Sequence, residues 1–317
     1  MKQIILGLIV GLIIIVGIAL VYMSNNTSVD NTPTATEPSD DTPIPTEPDN
    51  GIGDGAEPLT TEPELPSQIE GEFVLGQSAG GADIVAHSFG TGNDNIVFIG
   101  GIHGGYSGNT TLVAQELITY LEANPDRIAD NLRVTVIPTM NPDGIATTLG
   151  NTGTFNSADL TAAATAERVA GRFNANEVDL NRNFDCQWQA SGTWQNRTVS
   201  GGSAPFSEPE AQAIRDYVNE VNPVAAVVWY SAAGEVFASS CNGTPATETI
   251  ALMNVFADAA DYPSQATFDY YEITGDMVNW MAKQSIPAIS VLLSDHVSTE
   301  WSKNQAGIDA VLNLYAE

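Results

Sequence analysis

The chain has 317 residues, with 39 acidic against 10 basic side chains and a formal net charge of −29. Only three of the basic residues are lysines. A surface this acidic repels phosphate backbones and anionic headgroups, so nucleic acid and anionic lipid are excluded as expected partners. The charge suits a domain exposed to high or variable salt.

Residues 4–23 form an unbroken apolar run of 20, long enough to span a bilayer as a helix. Lys2 precedes the run and the next basic residue is Arg127, so the positive-inside rule leaves the N-terminus in the cytoplasm and the rest outside. A cleaved signal peptide is the rival reading. The run ends Ala-Leu-Val-Tyr-Met-Ser, a poor cleavage site, and no Cys follows to mark a lipoprotein. The expectation is a single-pass anchor over 1–23, with the membrane as a partner through 4–23. Residues 24–69 are rich in Thr, Pro, Glu, Asp and Ser, and Thr-Glu-Pro recurs at 36–38, 46–48 and 61–63. Such a stretch buries too little apolar surface to offset its ordering entropy, so it reads as a disordered, extended stalk.

Residues 70–317 remain, about 250 and enough for one sizeable domain. Strand-like and helix-like stretches alternate from 95 onward. Asn95–Ile99 reads as a buried strand closed by Gly-Gly, and Thr110–Ala123 as a helix with Val113, Leu117 and Leu121 on one face. Leu132–Pro138 is a strand ended by Asn-Pro-Asp-Gly at 141–144, a turn signal. Residues 145–170 have weak periodicity and are left unplaced. Ser207-Glu-Pro-Glu210 reads as a capping box opening a helix to about Val221. Val224–Trp229 and Ala288–Leu293 are core strands; Thr247–Ala260 and Ser302–Tyr315 are helices. The alternation implies an α/β sandwich on a largely parallel sheet, with ligands at the carboxyl ends of the strands, where His103, Tyr230 and Ser294 fall. Cys186 and Cys241 are read as sitting just after site strands outside the membrane and are expected to form a disulfide; two free thiols are the alternative.

Residues 171–184 read Gly-Arg-Phe-Asn-Ala-Asn-Glu-Val-Asp-Leu-Asn-Arg-Asn-Phe. Arg172 and Arg182 stand ten apart in a chain with few cations, with Asn181 beside the second. Two guanidinium forks and an amide converging on one point would bind a free carboxylate. An ordinary surface salt-bridge role is the bland alternative.

This segment resembles the signature of the zinc carboxypeptidase family (M14, the funnelin type), and other motifs follow in that family's order over about residues 70–317. The resemblance implies a mixed, roughly eight-stranded sheet with helices on both faces. It implies a first zinc ligand at His103, within Gly-Gly-Ile-His-Gly-Gly-Tyr-Ser at 100–107. The Glu ligand expected next falls on Tyr106. The third, a His after a core strand, falls on Tyr230 in Val-Val-Trp-Tyr-Ser-Ala-Ala-Gly at 227–234. The general-base Glu falls on Leu292 in Pro-Ala-Ile-Ser-Val-Leu-Leu-Ser-Asp-His at 287–296. A catalytic zinc needs three protein ligands and an open position, so no bound cofactor and no hydrolysis are expected.

The substrate half matches better. By resemblance, Arg172 polarises a carbonyl and Asn181 with Arg182 holds the terminal carboxylate. In Tyr-Tyr-Glu-Ile-Thr-Gly-Asp-Met-Val-Asn-Trp at 270–280, Tyr271 matches a tyrosine that closes over substrate. Val278 falls at the pocket floor, implying an apolar side-chain preference, and Asn279 replaces the usual Asp. Glu177 stands where relatives have Gly. Tyr270 and Tyr271 could instead be packing aromatics, and His87 reads as structural in a strand-like stretch. The leading expectation is a membrane-anchored pseudoenzyme, outside the cytoplasm, that binds peptide or cell-wall peptide C-termini. The alternatives are an active zinc carboxypeptidase with a relocated metal site at His103, Asp295 and His296, and a structural or adhesion module.

Overall fold

The computed structural model describes residues 70–317. The expected anchor (1–23) and stalk (24–69) lie outside them. Among the described residues, no helix is long and apolar enough to cross a membrane.

The strands are β1 (Gly71–Gln77), β2 (Asp83–Phe89), β3 (Asp94–Ile99), β4 (Leu132–Ile137), β5 (Ser191–Trp194), β6 (Arg197–Ser200), β7 (Ala225–Ser231), β8 (Glu235–Ala238), β9 (Ser264–Gln265) and β10 (Ala288–Leu293). The helices are α1 (Gly108–Ala123), α2 (Pro142–Leu149), α3 (Ser157–Ala162), α4 (Thr165–Ala170), α5 (Pro209–Val221), α6 (Thr247–Ala260), α7 (Met277–Lys283) and α8 (Trp301–Tyr315). Eight strands form one sheet in the order β1-β2-β4-β3-β7-β10-β8-β9, and β5 with β6 makes a separate hairpin. The central run β4-β3-β7-β10 is parallel. β2 joins β4, β1 joins β2 and β8 joins β10 in antiparallel fashion. The sheet is thus mixed, with a parallel centre buried on both sides.

Alternation along the central strands divides the core. Ile96, Phe98, Val227, Trp229 and Val291 face α1, α6 and α8, meeting Leu117, Phe256 and Ile308. Val97, Ile99, Val228 and Tyr230 face the opposite way, toward α5 and α7, with Ile214, Val278 and Met281. Because side chains alternate with period two, a residue's parity on β7 or β10 decides whether it joins closed core or the face that opens into a cavity. Trp229 is satisfied in the closed core by donating its indole N–H to Asn304 Oδ1 at 2.9 Å.

Two local expectations are corrected, and one unplaced stretch is assigned. Asn-Pro-Asp-Gly at 141–144 begins α2 rather than making a turn: Asn141 Oδ1 accepts from Gly144 N at 2.8 Å, and Pro142 sits in the first helical turn. Asn and Pro serve both roles, since a capped first turn and a β-turn share their opening geometry. The capping box at 207–210 does not form. Glu208 holds the cap position, Ser207 Oγ donates to Glu208 Oε1 at 2.8 Å, and Glu210 accepts from the distant Ala79 N at 2.9 Å. The unplaced stretch contains most of α2 and the six-residue helices α3 and α4, too short to display a helical period.

Cys186 and Cys241 are disulfide-bonded, as expected, across a sequence separation of 55. Cys186 follows a 3₁₀ turn at Leu180–Arg182 rather than a strand; Cys241 follows β8. Loop-closure entropy for that span is worth about 4 kcal/mol. Replacing both cysteines with alanine is expected to lower unfolding free energy by about that amount in urea titration, with the fold retained.

Candidate functional site

The site lies at the carboxyl ends of β3, β7 and β10. His103 precedes a short 3₁₀ turn, Gly104–Ser107, that leads into α1. Gly104 has φ 45°, and a Cβ there would lie 2.5 Å from Gly171 O and 2.6 Å from Gly144 Cα. Only glycine lets this turn press so closely on the start of the 171–184 segment. His103 and Arg172 thereby come together around one carboxylate, Asp179.

Asp179 is fully buried and accepts from both Nε and Nη2 of Arg172, at 2.9 and 2.8 Å, on Oδ2. Its Oδ1 accepts from Asn181 N at 3.2 Å and lies 3.5 Å from His103 Nε2. That last approach falls short of a formed hydrogen bond, and neither ring nitrogen of His103 has a partner. Burial would raise the Asp179 carboxyl, but the Arg172 charge and the neighbouring His103 outweigh it and hold it far below the usual range. Burial and the Arg172 charge lower His103 to about 4, so it is neutral at pH 7.

The second half of the segment is equally occupied. Asn181 Nδ2 donates to Asp276 Oδ2 at 2.8 Å, and its Oδ1 accepts from Met277 N at 3.2 Å and the Tyr230 hydroxyl at 3.3 Å. Arg182 donates to Asn181 O at 3.2 Å and Thr193 O at 3.3 Å and is 1% exposed. The β5–β6 hairpin covers both arginines. Thr193 receives Arg182, while the Trp194 ring lies 4.4 Å from the Arg172 guanidinium carbon.

A cavity of about 520 Å³ gathers His103, Tyr106, Arg172, Asn181, Tyr230, Tyr271, Val278 and Leu292. The expected site residues thus converge, with one exception. Arg182 is not among the lining residues but is buried behind them, its guanidinium carbon 5.8 Å from the Tyr271 ring centre. Tyr271 stands half-exposed at the mouth, and Val278 is buried in the wall. Asn279 is turned to Ser240 N, which its Oδ1 accepts at 2.9 Å.

Tyr230 and Leu292 are direct partners in the parallel β7–β10 register, on the face that opens into this cavity. The Tyr230 ring centre is 5.7 Å from that of His103. Burial, reinforced by the charge of Asp276, pushes the Tyr230 phenol well above its ordinary value. Burial also raises Tyr106, whose ring lies 5.0 Å from Trp194 and 4.5 Å from His296.

The relocated metal site is not assembled. Asp295 accepts from Val297 N, Ser298 N and Ser298 Oγ, and His296 packs on Tyr106. Among the described residues, no three His, Cys, Asp or Glu side chains group to hold a metal ion. His87 is structural, on β2 opposite Glu72, with its Nε2 3.8 Å from the carboxylate.

Asp179, Asp276 and Trp194 carry much of this geometry without having been singled out by their sequence. Asp276 had a readable signal, as an Asp preceding a short apolar helix. The Gln195-Asn196 turn between β5 and β6 could have marked the hairpin, but nothing local shows that Trp194 would stack on an arginine.

A mixed eight-stranded sheet with an arginine-lined cavity at its strand ends is the frame of a carboxypeptidase-type protein. Residues 66–310 match the zinc carboxypeptidase family, peptidase M14, and the chain belongs to that family. Mouse (Mus musculus) carboxypeptidase Z is 28% identical over 177 residues, covering 49% of this chain and 26% of that protein. Carboxypeptidase B of Astacus astacus is 30% identical over 135 residues, covering 39% of this chain and 41% of that protein. The matches therefore span less than half the length of either relative. Among solved structures, the murein-tripeptide amidase MpaA of Escherichia coli O157 shares the fold at a TM-score of 0.53 and 18% identity, over 80% of this chain and 97% of that one.

Two outcomes follow from the site's internal physics. An unfolded histidine titrates near 6.5 and folded His103 near 4, so the stability of the neutral form is complete above pH 6.5 and declines as pH falls toward 4. Between pH 7 and 5 this group should cost about 2 kcal/mol, and His103→Asn should remove that part of the slope in denaturant titrations. Glu177 is exposed with φ 60°, the left-handed conformation that glycine adopts without strain. Glu177→Gly should raise unfolding free energy by about 1 kcal/mol.

Proposed function

We propose that this protein is a non-hydrolytic member of its family that binds the free C-terminal carboxylate of a peptide. The observation carrying the reading is the pairing of Tyr230 with Leu292 in register beside His103, in a cavity that also holds Arg172 and Asn181.

The donor set does not fit the zinc that the family implies. Of the three ligand positions only His103 offers an ordinary zinc donor. The other two are phenols, and burial keeps both protonated at neutral pH. Leu292 cannot take a proton from water. Family membership without a base and with one imidazole supports binding rather than cleavage.

The recognition half has chemistry to offer. Arg172 presents a guanidinium over the Trp194 ring, and Asn181 presents an amide at the cavity wall. Val278 and Leu292 supply an apolar wall for the terminal side chain, and Tyr271 stands where it can cover the ligand. Peptides of the cell wall are included among candidate ligands because the fold neighbour MpaA is named for a murein tripeptide. With residues 4–23 as anchor and 24–69 as stalk, the domain would meet such ligands outside the cytoplasm.

Purified protein incubated with zinc and desalted should retain less than about 0.1 equivalent and release no residue from peptide substrates. Near one equivalent, with hydrolysis abolished by chelator and by His103→Ala, would overturn the reading. Arg172→Lys, which keeps the charge beside Asp179 but loses the planar fork that lines the cavity, should, with a native circular dichroism spectrum, weaken binding of a free-acid peptide by about tenfold or more.

A further inference from the structure

We infer that Asp276 is a specificity-determining residue of the clamp: its carboxylate is seated on the Asn181 amide and must be displaced before a ligand carboxylate can take that place. The inference rests on the carboxylate-binding reading above and adds to it an internal competitor.

Backbone geometry fixes the placement. Gly275 has φ 64°, and a Cβ there would lie 2.1 Å from Arg182 O. Gly275 N donates to Cys186 O at 2.8 Å, and Gly275 O accepts from Phe184 N at 3.0 Å. These two bonds clip the chain before α7 onto the chain after Arg182, so the next residue must point into the clamp. That residue is Asp276, which lines the cavity and is 4% exposed.

Both of its oxygens are engaged. Oδ1 accepts from Asn279 N at 2.9 Å and caps α7, while Oδ2 takes the Asn181 amide at 2.8 Å. Asn181 cannot turn away, because its Oδ1 already accepts from Met277 N and Tyr230. One of the two N–H groups of the Asn181 amide is therefore aimed at Asp276 instead of at a ligand.

The charges lead to the same place. Arg172 is matched by Asp179 at 2.8 Å, and Arg182 is the cation whose charge acts on Asp276. Each of the two arginines is matched by an aspartate, so a free carboxylate does not meet a doubly positive floor. Burial works against the Asp276 carboxylate, raising its pKa, so it is a strained occupant that a better-placed anion can replace. The site as built discriminates weakly between a peptide acid and its amide. Removing the Asp276 charge converts it into a strong carboxylate clamp.

The test uses the full chain and two probes, acetyl-Ala-Phe as the free acid and as the C-terminal amide, titrated calorimetrically at pH 7. Asp276→Asn removes the charge; Asp276→Ser keeps a helix-capping oxygen and withdraws from Asn181, giving a second variant should the first not fold. Both should bind the acid at least about tenfold tighter than wild type, with amide affinity changed by less than about threefold. If wild type binds the acid and neither variant binds it more tightly, Asp276 is no competitor and the carboxylate-binding reading survives without it. If neither wild type nor the variants bind the acid, the carboxylate reading fails, and this inference with it.

Discussion

The buried ion pair between Arg172 and Asp179 is the interaction on which the rest of the site depends. Neither partner is more than 3% exposed at the side chain, so both have lost their hydration. Desolvation on that scale costs several kcal/mol per ion and is offset only where the geometry is good and the remaining polar atoms are satisfied. Here one carboxylate oxygen takes two guanidinium N–H groups, and the other takes Asn181 N. Trp194 covers the outer face of the guanidinium, a desolvated cation–π contact that also fixes the β5–β6 hairpin over the clamp. The pair thus sets the chain path from 172 to 182, the roof above it and the electrostatics of His103 beside it.

The sheet supplies the second constraint. Parallel pairing of β7 with β10 places Tyr230 and Leu292 side by side, and parity aims them at the cavity rather than at α6 and α8. A residue at either position is committed to this floor whatever its chemistry. With a phenol and an isobutyl group there, the floor becomes apolar and proton-tight. Tyr230 is bound into the clamp through Asn181, not left as a free acid. Tyr230 is buried there, and Leu292 is partly buried against the same cluster.

The sequence made much of this legible, for identifiable reasons. Buried parallel strands are continuous apolar runs, so β3, β4, β7 and β10 stand out to within a residue or two. α6 stands out because its face repeats at Ile250, Met253 and Phe256. The outer strands β1, β2, β8 and β9 are short or alternate with polar residues, and their identity depends on neighbours supplied by the fold. Convergence of Arg172, Asn181, Tyr230, Tyr271 and Val278 was readable through the resemblance to the zinc carboxypeptidase family, whose motifs occur here in the same order. The burial of Arg182 was not, because it follows from Gly275 lying against its backbone, ninety-three positions away in the sequence. The turn and capping-box expectations at 141–144 and 207–210 failed for one shared reason. Local residue preference names the geometry a segment can adopt, and tertiary partners such as Ala79 decide which donors each carboxylate receives.

Charge completes the account of what the cavity can hold. The whole chain carries −29, so its far field repels an approaching anion, although at physiological ionic strength that repulsion is screened beyond about 8 Å. Within that distance only the local set counts, and there each arginine already faces an aspartate. Such a floor does not capture small anions indiscriminately, as an unpaired arginine cluster would. For the peptide ligand proposed above, much of the affinity would come from covering Val278, Leu292 and Tyr271. On the proposed reading, the apolar part of the ligand brings it into the cavity, and Asp276 blunts the preference of the site for a free carboxylate.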